Sequence, residues 1–168
     1  LKLMQPKAEH YTEKAWAAIA SAQNIAQERK HQQLETEHLF LALINQNGFA
    51  VEVLIKSGIS MHNLKKLLDE FTNKEPKLQS KPESIYLGKS VIQALKEAVN
   101  IQQSYGDDFI SVEHILLALS NDKRCGQTFL EQENINKVKL HSIIQSMRGN
   151  KNITNQNPED TFESLKKY

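Results

Sequence analysis

One cysteine in 168 residues, Cys125, excludes an intramolecular disulfide and a cysteine-rich zinc site, and fits a reducing compartment. The longest apolar run, residues 39–44, is far short of the roughly 20 residues that cross a bilayer, so no membrane partner is expected. Charge of one sign is also missing. Twenty-one basic and 20 acidic side chains leave a net +1, which gives no field to attract nucleic acid. Glycine and proline are scarce, at six and four, while Ala, Leu, Lys, Gln and Glu abound, and this balance points to helix throughout. A chain this long suits one domain and buries about two thirds of its unfolded surface.

What the sequence does contain is a repeat. Residues 34–43 (LETEHLFLAL) lie over residues 110–119 (ISVEHILLAL), at an offset of 76. The register holds in both directions. Ala18, Ala22, Asn24, Ile25 and Gln27 meet Ala94, Ala98, Asn100, Ile101 and Gln103, and Leu54, Ile59 and Leu64 meet Leu130, Ile135 and Leu140. Two copies are too few for a solenoid. The expected fold is all-α: two four-helix repeats, eight helices in total, related by a pseudo-twofold axis within one globular domain.

Repeat 1 spans about 12–72 and repeat 2 about 88–147. The first helix is expected over 12–28, capped by Thr12, with Ala15, Ile19, Ala22 and Ala26 on one face. Val91, Leu95 and Ala98 match it in the copy. The second helices, 36–46 and 111–121, are apolar nearly all round, the pattern of a central, buried helix. Third helices end at Gly58 and Asn134, the residue types that tolerate a left-handed backbone. Ser60 and Asn136 then cap fourth helices with matching apolar faces, Leu64, Leu67, Leu68 and Phe71 against Leu140, Ile143, Ile144 and Met147. Residues 1–10 are expected to be disordered, 72–87 to be a surface loop, and 148–168 a polar linker leading to a further domain, with a marginal helix over 159–168.

Catalytic signatures are absent. The sequence has no GxxxxGK[ST] phosphate loop, no GxGxxG, no HExxH and no GxSxG, so neither catalysis nor a cofactor is expected of these residues. The repeated pairs Glu37-His38 and Glu113-His114 invite a metal or acid–base reading. Against it, a first-turn Glu faces the positive end of the helix dipole while its neighbouring His packs locally. A third reading leaves both acids exposed to cationic groups of a partner. Cys125 reads as a small side chain near the start of a short helix.

Together, two copies of [I/L]-x-x-E-H-[I/L/F]-L-L-A-L resemble the N-terminal Clp repeat domain of the Clp/heat-shock AAA+ unfoldases. Residues 105–111 (YGDDFIS), 146–150 (SMRGN) and 157–168 (NPEDTFESLKKY) resemble the ClpB-type disaggregating chaperones among them, and Tyr86-Leu87-Gly88 leans toward the cyanobacterial or plastid kind. The resemblance implies a cytoplasmic (or stromal) stress and heat-shock chaperone. Its parent would be a homohexameric ATPase using ATP and Mg, with this fragment as a monomeric substrate-recognition domain. It implies that unfolded or aggregated polypeptide is bound here and fed to the AAA+ ring in cooperation with the DnaK system. The substrate-binding positions it implies are Thr12, Ile101, Asp107 and Glu113. Two further groove positions are Glu97 and His114 here, which makes that groove more polar. Glu37 is more like the ClpC-type repeats, and keeps open an adaptor-docking N domain of a ClpC/ClpA-type protease unfoldase as the alternative.

Overall fold

In the computed structural model, which describes residues 5–159, the first helix starts where a hydroxyl can satisfy its free amides. Thr12 accepts a hydrogen bond from the Ala15 amide and opens α1 (Glu13–Glu28), which buries Ala15, Ala18, Ile19, Ala22 and Ala26. Seven further α-helices follow among the described residues: α2 (Thr36–Asn45), α3 (Phe49–Lys56), α4 (Met61–Asn73), α5 (Lys89–Ser104), α6 (Val112–Leu119), α7 (Gly126–Glu131) and α8 (Lys137–Arg148). All the first eight residues of α2, and the whole of α6, are buried. The α6 helix stops two residues short of the expected end, because its last turn tightens into bonds from Asn121 to Ala118 and from Asp122 to Leu119.

Both turns between third and fourth helices have the predicted chemistry. Gly58 sits at φ +88° and Asn134 at +60°, and the following Ile59 and Ile135 fold into the core. Ser60 and Asn136 then accept from the Asn63 and Lys139 amides to open α4 and α8.

How the two halves join was not readable from the pattern. Helices α2 and α6 pack together at the centre, each paired with its own first helix, α1 and α5. The third helices are exchanged: α3 packs on α6 and α8, and α7 on α2 and α4. The 72–87 segment is not all loop. It ends in β2 (Tyr86–Leu87), which runs parallel to β1 (Gln33–Leu34) with Leu34 opposite Leu87. Seventy-six residues away, Tyr11 and Ile110 form the matching parallel bridge. A helix-periodicity search cannot see two-residue pairings of this kind.

Both ends also differ from expectation within the described range. Residues 8–10 form a 3-10 turn where a disordered end was expected. After Gly149 the chain folds back on the domain and buries Ile153 and Glu159. The marginal helix expected over 159–168 falls, beyond Glu159, outside the described residues.

Candidate functional site

The two Glu-His pairs do the same local job in each repeat. His38 Nδ1 accepts from the Glu35 amide at 3.0 Å, and His114 Nδ1 from the Ser111 amide at 2.9 Å. The imidazole thus takes the place that Glu or Gln holds in a capping box. With Nδ1 an acceptor, Nε2 carries the proton and must find an acceptor of its own. In repeat 2 that acceptor is Asp107, 2.7 Å away. In repeat 1 it is His31 Nδ1, at 2.9 Å. His31 and Asp107 stand 76 residues apart, so the second partner obeys the repeat in position and departs from it in chemistry.

Electrostatics follow from that difference. Burial pushes the His38 imidazole down to about 3, and the His31 ring beside it adds to the effect. Burial also lowers His31. Asp107 is buried too, which works against its charge. Hydrogen bonds from His114, from both Arg148 Nη atoms at 2.8 and 2.9 Å, and from the Ile153 amide nevertheless hold its carboxyl at about 2.

The acids of the two motifs lie fully inside the domain. Glu37 is gripped by Arg124, whose Nε and Nη2 donate to its two oxygens at 2.8 and 3.0 Å. Glu37 holds the Arg124 guanidinium well above its ordinary range. Glu113 stands 3.4 Å from Arg148. Arg124 lies in repeat 2 and Arg148 just past its expected end, at offsets where repeat 1 has Gly48 and Thr72. Neither could be found from the repeat, because both break it.

The structure therefore removes the third reading, in which both acids are partly exposed to a partner. Thr12, Glu37 and Glu113 have no solvent exposure, Asp107 has 4% and Ile101 5%. They bring together a polar interior, not an outer surface. Glu97 makes an ion pair with Lys137 at 3.2 Å, while His114 is fully buried beside Asp107. Cys125, the N-cap of α7, is buried, and burial with Asp122 nearby pushes its thiol far up, which leaves it an inert side chain. No group of three or more His, Cys, Asp or Glu among the described residues is arranged to hold a metal ion.

An apolar groove does open, on the outer face of α5. It has a volume of about 440 Å³, a floor of Ile92, Leu95, Val99, Tyr11 and Ile110, and a rim of Lys7, Glu9, Lys96, Gln102 and Asp108. Residues 5–11 run along one side of it. Along α1 the chain between the repeats packs in a related way: Gln27 donates to the Pro82 carbonyl, Lys81 pairs with Glu28, and the Leu78 amide donates to Lys30.

A sequence model of the Clp repeat (R) N-terminal domain matches residues 10–133. A chaperone protein ClpB 1 of Parasynechococcus marenigrum is 47% identical over 165 residues, covering 98% of this chain and 19% of that protein. The chain thus spans about a fifth of the length of the curated relatives it matches. In fold it is similar to the Hsp104 N-terminal domain of Candida albicans, with a TM-score of 0.79 at 20% identity, covering 89% of this chain and 98% of that one. It is also similar to a ClpV N-domain in complex with a VipB peptide, with a TM-score of 0.66 at 18% identity over 82% of this chain and 86% of the other. At those identities the two structures speak for the fold alone.

Proposed function

The chain belongs to the Clp repeat N-terminal domain family, and from that membership we propose that it is the polypeptide-binding module of a ClpB-type AAA+ chaperone. On this reading it holds segments of unfolded or aggregated protein for the ATP- and Mg-dependent ring of its parent, working with the DnaK system in the cytoplasm or stroma. The observation that carries the reading is the α5 groove. It offers an apolar floor to any extended chain, and its mixed rim of Lys7, Lys96, Glu9 and Asp108 selects against none strongly. Clients without a common sequence need that kind of surface. The ClpV N-domain bound to a VipB peptide supports a peptide-binding role for the fold. Modest affinity per domain is enough where several copies surround one pore, so dissociation constants in about the micromolar range or weaker are expected. The adaptor-docking alternative leaned on Glu37 and the Glu-His symmetry; Glu37 is buried and held by Arg124, which weakens it as a contact for an adaptor.

The test is an NMR titration of the domain with a reduced, carboxymethylated, permanently unfolded polypeptide. Shifts are expected at Tyr11, Ile92, Lys96 and Val99, and Val99→Asp should weaken binding about tenfold or more while the helical content stays unchanged. A folded wild-type domain that shows no shifts overturns the reading. Binding that Val99→Asp leaves intact moves the site off α5.

A further inference from the structure

We propose that residues 152–159 are a clasp that holds the groove's N-terminal wall in place, with the Glu159 carboxyl seated as its catch on Thr12 and the first turn of α6. This rests on the groove being the polypeptide site, and it names how that site is controlled.

The clasp is built from backbone and side-chain bonds to both sides of the groove. On the wall, Gln156 Nε2 donates to the carbonyls of Ala8 and Tyr11, and the Glu13 amide donates to the Gln156 carbonyl at 2.7 Å. On the far side, the Asp108 amide donates to the Ile153 carbonyl and the Ile153 amide to Asp107. Wall and far side also join directly, through Thr12 to Ile110 and Ile110 to His10. Residues 8–13 are therefore positioned as much by the returning tail as by their own 3-10 turn.

The catch is a fully buried carboxyl. Thr12 Oγ1 donates to Glu159 Oε2 at 2.7 Å, and the Val112 amide at the start of α6 lies 3.4 Å from the same atom. The other oxygen of Glu159, and both oxygens of Glu113, have no hydrogen-bond partner among the described residues. Burial in an apolar interior, with one oxygen lacking a partner and the acid Glu113 nearby, favours the neutral form of Glu159. The charged groups around the catch are Glu113 from α6, Arg148 from α8, and behind them Asp107 with His114. Arg148 donates two hydrogen bonds to Asp107 and stands 3.4 Å from Glu113. Burial, reinforced by Glu113, pushes the Glu159 carboxyl up to about 7. A raised acid favours the docked tail below the unfolded value and loses that advantage as pH rises through about 7. The catch is held by a proton and opens without it.

The experiment uses the whole 168-residue chain, with Glu159→Gln as a permanently neutral catch and Glu159→Ala as none. Amide exchange at Glu13, Asp108 and Ile153, corrected for the intrinsic pH dependence, reads the clasp. Wild-type protection should fall about tenfold or more between pH 6 and 8.5, stay level in Glu159→Gln, and be low at both pH values in Glu159→Ala. Equal protection in wild type and Glu159→Ala, or an unchanged pH slope in Glu159→Gln, overturns the catch. Binding of the carboxymethylated polypeptide at pH 6 reads the coupling. Affinity should drop about fivefold or more in Glu159→Ala and in Gln156→Ala, and hold in Glu159→Gln. Loosened tails with unchanged affinity overturn the coupling and leave the polypeptide reading standing. A wild-type domain that binds no polypeptide overturns the polypeptide reading and the coupling together, while exchange still decides the catch.

Discussion

His38 and His114 begin from the same sequence motif and meet different partners. Both accept a helix N-cap amide at Nδ1, so both project Nε2–H inward. One meets a carboxylate, the other a second neutral ring. The pair in repeat 1 has to stay uncharged, because neither burial nor a neighbouring imidazole tolerates a proton there. For a base whose folded value lies below its unfolded one, stability is fully present above the unfolded value and is lost as pH falls. With His38 moved from 6.5 to about 3, the native state should lose about 2 kcal/mol between pH 6.5 and 5. Urea unfolding at the two pH values checks this. His38→Gln, which can still accept from the Glu35 amide, should remove most of the difference, and an equal pH loss in that variant would refute the assignment.

At the scale of the element, α7 departs from its copy at its start. Its first residue is Gly126, 76 positions after Ala50, and the reason is contact with α6. A Cβ built on Gly126 collides with the carbonyl oxygen of Leu119 and comes within 3.3 Å of Asp122 Cβ. Asp122 also caps the Cys125 and Gly126 amides, both at 2.9 Å, so the backbone here is tied and close. Gly126→Ala should therefore cost about 1–3 kcal/mol through overpacking, measured as a lowered urea midpoint at unchanged slope. The same methyl group at position 50 is native and buried, which separates a steric effect from a general intolerance of side chains at this helix start.

The exchanged third helices decide the behaviour of the whole molecule. α3 buries Phe49, Val53 and Leu54, and the helices it packs on include α6 and α8 of the other repeat. Likewise, α7 buries Leu130 and packs on α2 and α4. Neither half can close its core alone. Unfolding should be a single cooperative transition, and peptides covering 5–80 and 81–159 should each show weak helicity by circular dichroism. A half that folds by itself, with a sharp thermal transition, would contradict the exchange. The clasp belongs to this scale as well, since Gln156 and Glu159 touch residues almost 150 positions earlier in the chain.

Much of this protein was decided by the sequence alone. The 76-residue register shows by laying one copy over the other. The caps at Thr12, Ser60 and Asn136, the left-handed turns at Gly58 and Asn134 and the buried second helices are local facts, each set by residues within about two turns of one another, where spacing and conformational preference act directly. The resemblance to Clp repeats lay in the same local motifs. The tertiary structure decided the rest: which acids are inside, which arginines neutralise them, and where a groove is left open. The sequence left the place of Glu37 and Glu113 open because their partners, Arg124 and Arg148, are distant or outside the repeat, and a charge's burial depends on what packs around it. Glu159 looks like part of a solvated linker for the same reason. Its role follows from Thr12 and Val112 being brought beside it, and no spacing within the tail encodes that.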